Sequence, residues 1–190
     1  MTEDEIKNIF REKGALQEGH FRLNSGLHSE QYIQCARVLQ HPDLARRLGA
    51  ELARRFSRQE IEVVIGPALG GITLAFAVGL ALDCRAVFTE KTEDGMELRR
   101  SFALQPGEKA LVVDDVFTTG SSVREVIKTL KSQGGEPVGA GVMVDRSGGR
   151  SEEFVLPVKS LLNLDLRTYP PAECPMCSEE ITCRSPGSSG

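Results

Sequence analysis

Leu111-Val112-Val113-Asp114-Asp115-Val116-Phe117-Thr118-Thr119-Gly120-Ser121-Ser122-Val123 is the stretch on which the fold turns. An apolar strand, Ala110 to Val113, runs into two adjacent carboxylates, then a hydroxyl-rich turn on Gly120, and then a helix. The helix is legible because Val123, Val126, Ile127 and Leu130 recur at i, i+3, i+4, i+7 on one face. Ser121 and Ser122 are its expected N-cap residues. A helix start with free N–H groups, hydroxyls and a permissive glycine is a phosphate cradle. The carboxylates just ahead of it suit vicinal hydroxyls or a hydrated Mg²⁺. Phosphate and diol recognition a few residues apart points to a ribose 5-phosphate. Neither the Gly-Lys-Ser/Thr of a P-loop nor the Gly-x-Gly-x-x-Gly of a dinucleotide site is present in this run.

Outward from this run, strands and helices alternate. Residues 3–13 read as a short helix on Ile6, Ile9 and Phe10, and 19–35 as short strands bounded by Gly19 and Asn24-Ser25-Gly26. A helix from Pro42 to about Phe56 repeats Leu44, Leu48, Leu52 and Phe56 every four residues. Ile61–Ile65 is a buried strand ending at Gly66-Pro67; Gly71–Leu82 is an apolar helix, and Arg85–Phe88 another strand. Residues 90–101 are charged and show no usable period, as a solvated hairpin or loop would. The helix after the signature stops at Gly134-Gly135, and Val138–Val144 is the last strand of the core. Such alternation implies parallel pairing with right-handed crossovers, hence an α/β, doubly wound, mainly parallel sheet. Ligands then sit at the carboxyl ends of the strands, where Gly66-Pro67, Asp114-Asp115 and Asp145-Arg146 all fall. The expected organisation is an N-terminal hood (1–40), a core (41–165) and a C-terminal tail (166–190).

Composition narrows the function classes. The chain has 190 residues, 40% hydrophobic and 26% charged, with a net charge of −4. That suits one globular core and argues against a nucleic-acid partner, which would favour a basic face. The acidic start, Met1-Thr2-Glu3-Asp4-Glu5, fits neither a signal nor a transit peptide, and no apolar run reaches membrane-spanning length. Five cysteines in no small-scaffold spacing suit a reducing cytoplasm. Cys35 and Cys84 read as small hydrophobes. Cys174-Pro-Met-Cys177, with Cys183 nearby, has the spacing of half a zinc knuckle. A closed site needs four ligands, and no fourth stands close in sequence, so an exposed tail is the expectation. His20, His28 and His41 show no triad or metal spacing. Ser185–Gly190 reads as a flexible end without fold information.

The signature resembles that of the type I phosphoribosyltransferases, which bind 5-phosphoribosyl 1-pyrophosphate (PRPP). Gly19–Gly26 with Ser29 and Tyr32, Gly66-Pro67-Ala68-Leu69-Gly70-Gly71-Ile72, and Asp145-Arg146 are similar to motifs of the family's orotate-specific branch. The resemblance implies Mg²⁺-dependent transfer of ribosyl phosphate from PRPP to orotate, giving orotidine 5′-monophosphate and pyrophosphate for pyrimidine (UMP) synthesis. It implies that Asp114 and Asp115 engage the ribose, and that Val116, Phe117, Thr118, Thr119, Gly120, Ser121 and Ser122 hold the 5-phosphate. Ala68, Leu69, Gly70 and Gly71 would form a pyrophosphate loop with a non-proline cis peptide at Ala68-Leu69. Thr118, Arg146, Tyr32 and Ile33 would contact orotate, with Mg²⁺ held mainly through PRPP and not by a dedicated protein metal site. Residues 90–101 would be a lid shared across a homodimer, carrying Lys91 into the neighbour's site.

The sequence departs from that pattern in places. Gly70 and Asn24 stand where the best-known members have lysine, and Glu90 where they have arginine. The lid's lysine and histidine are missing, leaving Arg99 and Arg100 as substitutes. Two other readings share the signature: a purine or uracil phosphoribosyltransferase, and a PRPP-binding regulator without catalysis. Arg146 and the Asn24-Ser25-Gly26 segment favour an acidic pyrimidine over the first. The acidic charge disfavours the second.

Overall fold

The protein is described here by a computed structural model covering residues 1–186. Its centre is a six-stranded sheet in the order β5-β4-β3-β6-β7-β8. The strands are β3 (Val63–Pro67), β4 (Arg85–Thr92), β5 (Gly95–Leu98), β6 (Lys109–Phe117), β7 (Glu136–Asp145) and β8 (Val158–Asn163). All pairings are parallel except β4 with β5. The signature strand is therefore central, and its side chains alternate between two cores. Leu111 and Val113 face α3 (Pro42–Arg54) and α4 (Gly70–Leu82). Ala110 and Val112 face α5 (Ser121–Ser132), which buries Val123, Val126, Ile127 and Leu130 against the sheet. Each such side chain contributes about 1.5–3 kcal/mol relative to exposure.

A second sheet lies apart from the first. Strands β1 (Leu16–Arg22) and β2 (His28–Ile33) pair antiparallel, and β9 (Thr168–Tyr169) adds to β2 at His28–Ser29. Helices α1 (Glu3–Glu12) and α2 (Ala36–Leu39) flank this hood, and α1 starts on a capping box between Thr2 and Glu5.

Some elements sharpen the sequence expectation and others depart from it. Of the hairpin and loop left open for the charged run, the structure has the hairpin: residues 90–98 continue β4 into β5, with Thr89 opposite Leu98 and Lys91 opposite Met96. Met96 and Leu98 pack against the core beneath α5, and the Thr129 hydroxyl donates to the Met96 carbonyl. Strand β8 escapes the reading because Val158–Asn163 is short and mixed in polarity. The exposed-tail expectation fails for residues 168–178. Thr168–Tyr169 is a strand, and Cys174 and Met176 are buried at the base of α6 (Pro175–Ser178). Of the chain end expected at Ser185–Gly190, residues 187–190 lie outside the described residues.

Candidate active site

Three strand ends converge as the alternation requires: β3 ends at Pro67, β6 at Phe117 and β7 at Asp145. Between β3 and α4 the chain turns through Gly66–Gly71, with the Ala68-Leu69 peptide cis. Glycine is needed here for space. A Cβ on Gly66 would lie 2.3 Å from the Gly71 carbonyl oxygen, and one on Gly71 would lie 2.7 Å from the Pro67 ring. A Cβ on Gly70 would stand 2.7 Å from the Asp115 carboxylate. The loop thus lies directly against the acid pair, and a lysine at position 70 would have to displace Asp115.

The two acids are not equivalent. Asp114 is 7% exposed, buried although it lies toward the end of its strand, whereas Asp115 is half-buried. The reason is length: β6 continues to Phe117, which keeps Asp114 in register with Val142 of β7. The Asp115 N–H donates to Asp114 Oδ1 at 2.9 Å. Burial and the neighbouring Asp115 charge push the Asp114 carboxyl up to about 8, and burial also raises Asp115. Among the described residues, no lysine or arginine makes an ion pair with either acid.

After the acids, Thr118 and Thr119 are exposed and Gly120 adopts the left-handed conformation (φ 74°). A Cβ there would meet the Phe117 ring at 2.6 Å. Gly120 itself is the N-cap, with no side-chain cap; Ser121 and Ser122 sit inside the first turn, which corrects the expected capping role. Thr119 Oγ1 only approaches the Ser121 N–H, at 3.4 Å. The first-turn N–H groups are therefore left to a ligand, in the field of the helix N-terminus. Phe117 stacks edge-on with Phe154, and Arg124 lies over Phe154 while donating to the Thr119 carbonyl at 2.7 Å. These contacts hold the turn rigid from below.

Arg146 follows β7 and is oriented by its neighbours. Its N–H donates to the Phe117 carbonyl at 2.8 Å. Buried Asp145 accepts from the Ser147 N–H at 2.7 Å and from the Ser151 hydroxyl, shaping the turn. Arg146 Nε is buried without a hydrogen-bond partner, and burial lowers the guanidinium pKa. Desolvation likewise raises the Tyr32 phenol, whose O–H donates to Gln34 at 2.5 Å. A desolvated guanidinium lacking an acid is suited to an anionic ligand. Ile33 is buried behind Tyr32.

Lys91 is exposed on β4, beyond the rim. Arg100 is already committed: its Nε donates to Glu90 Oε1 at 2.7 Å, so of the two substitutes only Arg99 makes no ion pair among the described residues. Sequence reading missed that pairing because the residues stand ten apart across a hairpin.

The sequence profile of the phosphoribosyl transferase domain matches residues 35–162, and the chain belongs to that family. Over nearly its whole length the chain is similar to orotate phosphoribosyltransferases. The one from Desulforamulus reducens is 52% identical over 188 residues, covering 99% of this chain and 98% of the relative. The one from Thermotoga maritima is 47% identical over 185 residues, 97% of this chain and 98% of the relative. Among solved structures, orotate phosphoribosyltransferase from Aeropyrum pernix matches with a TM-score of 0.69 at 28% identity, covering 84% of this chain and 93% of that one. The Mycobacterium tuberculosis protein in complex with inorganic phosphate matches with 0.68 at 27%, covering 84% and 94%.

Proposed function

We propose that this chain is an orotate phosphoribosyltransferase: it transfers ribosyl phosphate from PRPP to orotate, releasing pyrophosphate. The observation that carries the reading is the acid pair placed between a glycine loop and an uncapped helix start, with a partnerless arginine beside them. Thr118, Thr119, Gly120, Ser121 and Ser122, entered through Val116 and Phe117, would hold the 5-phosphate. Asp114 and Asp115 would grip the ribose hydroxyls, and the positive charge of the Mg²⁺ that accompanies PRPP would favour their ionised form. Displacement at an anomeric carbon has oxocarbenium character, so the ionised pair would favour the charge developing on the sugar. Backbone N–H groups of Ala68–Gly71 would receive pyrophosphate. The desolvated pair, without a cationic side chain, also fits a hydrated Mg²⁺ carried mainly by PRPP, which would supply positive charge to the leaving group. Arg146 would fork onto the orotate carboxylate, with Thr118, Tyr32 and Ile33 at the ring, the last two supplied by hood residues 1–40.

The site is completed in a homodimer. Phe76 and Leu80 lie one turn apart on α4, 68% and 61% exposed, and leave an apolar face that a second copy would cover. Hairpin 90–98 and the following turn to 101 would act as the lid, carrying Lys91 into the neighbour's site and excluding water. Among the described residues no helix is long and apolar enough to cross a membrane. Five free cysteines favour work in a reducing cytoplasm.

The test is direct. Incubated with PRPP, Mg²⁺ and one free base at a time, the protein should release pyrophosphate with orotate. Release with adenine, hypoxanthine or uracil and none with orotate would overturn the reading.

A further inference from the structure

Apart from the residues of the candidate active site, the hood gathers four metal-ligating side chains. His20 on β1, His28 on β2, and Cys174 and Cys177 around the start of α6 place one ligand atom each within 4.8 Å of all the others. Sequence spacing conceals this because the cysteines stand 154 and 149 positions from the histidines they meet. The hairpin brings the two histidines together, with His20 Nε2 2.8 Å from His28 Nδ1. Cys174 Sγ lies 3.6 Å from His20 Nε2, Cys177 Sγ 3.7 Å from the same atom and 3.3 Å from His28 Nδ1.

Three of these four separations are those of a tetrahedron's edges. Zinc–nitrogen bonds of about 2.0–2.1 Å and zinc–sulfur bonds of about 2.3 Å place ligand atoms about 3.3–3.8 Å apart. The three sulfur–nitrogen distances already match; the nitrogen pair needs to open by about half an ångström. His20 is also oriented from behind. Its Nδ1 lies 2.7 Å from the Ile181 carbonyl, which can only accept, so Nδ1 carries the proton and Nε2 presents a lone pair to the cluster. Ligating histidines are commonly fixed by such a carbonyl contact. Three of the four groups, His20, His28 and Cys174, are buried.

We propose that His20, His28, Cys174 and Cys177 form a closed Cys₂His₂ structural zinc site that fastens the C-terminal segment beneath the hood. All four positions are filled by protein, so no open coordination remains for catalysis. The site supplements backbone ties that follow the same path. The Arg184 N–H donates to the His20 carbonyl and the Arg22 N–H to the Arg184 carbonyl, each at 2.8 Å. Strand β2, which carries Tyr32, is thereby held between β1 and the returning chain. Cys183 is exposed and contributes no ligand atom to the cluster.

The full-length chain, purified without chelator, should contain one equivalent of zinc by elemental analysis. Stripped under reducing conditions, it should rebind zinc alone in equal stoichiometry and take up Co²⁺ with the visible bands and thiolate charge transfer of a tetrahedral Cys₂His₂ centre. Stripping should lower Tm by about 5 °C or more, restored by zinc. Cys177→Ser alters an exposed side chain, so the fold should persist while zinc retention falls at least tenfold; Cys183→Ser should keep the full equivalent. Absence of both zinc and cobalt uptake by the reduced protein, a Cys174–Cys177 disulfide in the protein as purified, or undiminished zinc in Cys177→Ser would overturn the assignment.

Discussion

The rim of the central sheet draws its acids, hydroxyls and phosphate-facing N–H groups from one unbroken run, Asp114 to Ser122. The hood cluster collects four ligands from positions 20, 28, 174 and 177. The first holds polar groups in a state costly to the fold: a carboxyl pushed up to about 8 beside a second acid, and an arginine nitrogen without a partner. The second would spend metal binding on stability, since ligands that chelate only in the folded state add their binding energy to folding. Sites that act on a substrate leave interactions unmade until it arrives. Sites that hold a fold together complete them internally.

The contrast can be broken most forcefully at the rim. Lys91→Ala and Asp115→Asn should each lower kcat by about 10²–10³, the usual cost of one transition-state electrostatic contact, with normal Tm. Unfolded, mixed equally and refolded, half of the dimers become hybrids, each with one site holding both native residues. Recovery of roughly a quarter of wild-type activity would place Lys91 in the neighbour's site. Recovery no greater than the parents' sum, with subunit exchange verified, would end the shared-lid proposal.

A smaller effect is expected at the base. Arg146→Ala should raise KM for orotate roughly 10- to 100-fold while leaving KM for PRPP little changed, as for one lost charged hydrogen-bond pair. Steady-state kinetics with each substrate varied will decide. Equal loss for both would make Arg146 a structural residue.

The smallest effect reads the cost of the rim itself. Asp114 binds its proton more tightly folded than unfolded, so the stability of its neutral form is fully present below about pH 4 and is lost as pH rises through about 8. Asparagine cannot ionise and keeps that stability. Asp114→Asn should therefore come close to the parent's Tm near pH 4 and exceed it by several degrees at pH 9. Thermal melts across that range check the sign; a variant less stable at pH 9 would show that Asp114 is held by contacts that favour its charge.

Much of this molecule was legible because its signals are local. The apolar residues of 123–130 repeat at the helical period, and burial of that face follows from the period alone. The strand ends at Pro67 and Asp145 follow from apolar runs that stop at proline or acid, whereas β6 runs on through the acids to Phe117, beyond the Val113 at which its apolar run stops. What escaped has its cause in partners distant along the chain. Glu90 and Arg100 meet only because the hairpin folds back, and β8 forms because β7 offers an unpaired edge. Asp114 is buried because the neighbouring β7 reaches Asp145. Gly70 is required by the approach of Asp115 from another strand, a clash that no window of sequence contains. The order of residues by itself determined the alternating fold and the contiguous phosphoribosyl signature, since period, turn chemistry and capping act within a few residues. Only the tertiary structure decided the protonation of the acid pair and the meeting of His20, His28, Cys174 and Cys177, because burial and coordination depend on which distant segments arrive at the same point in space.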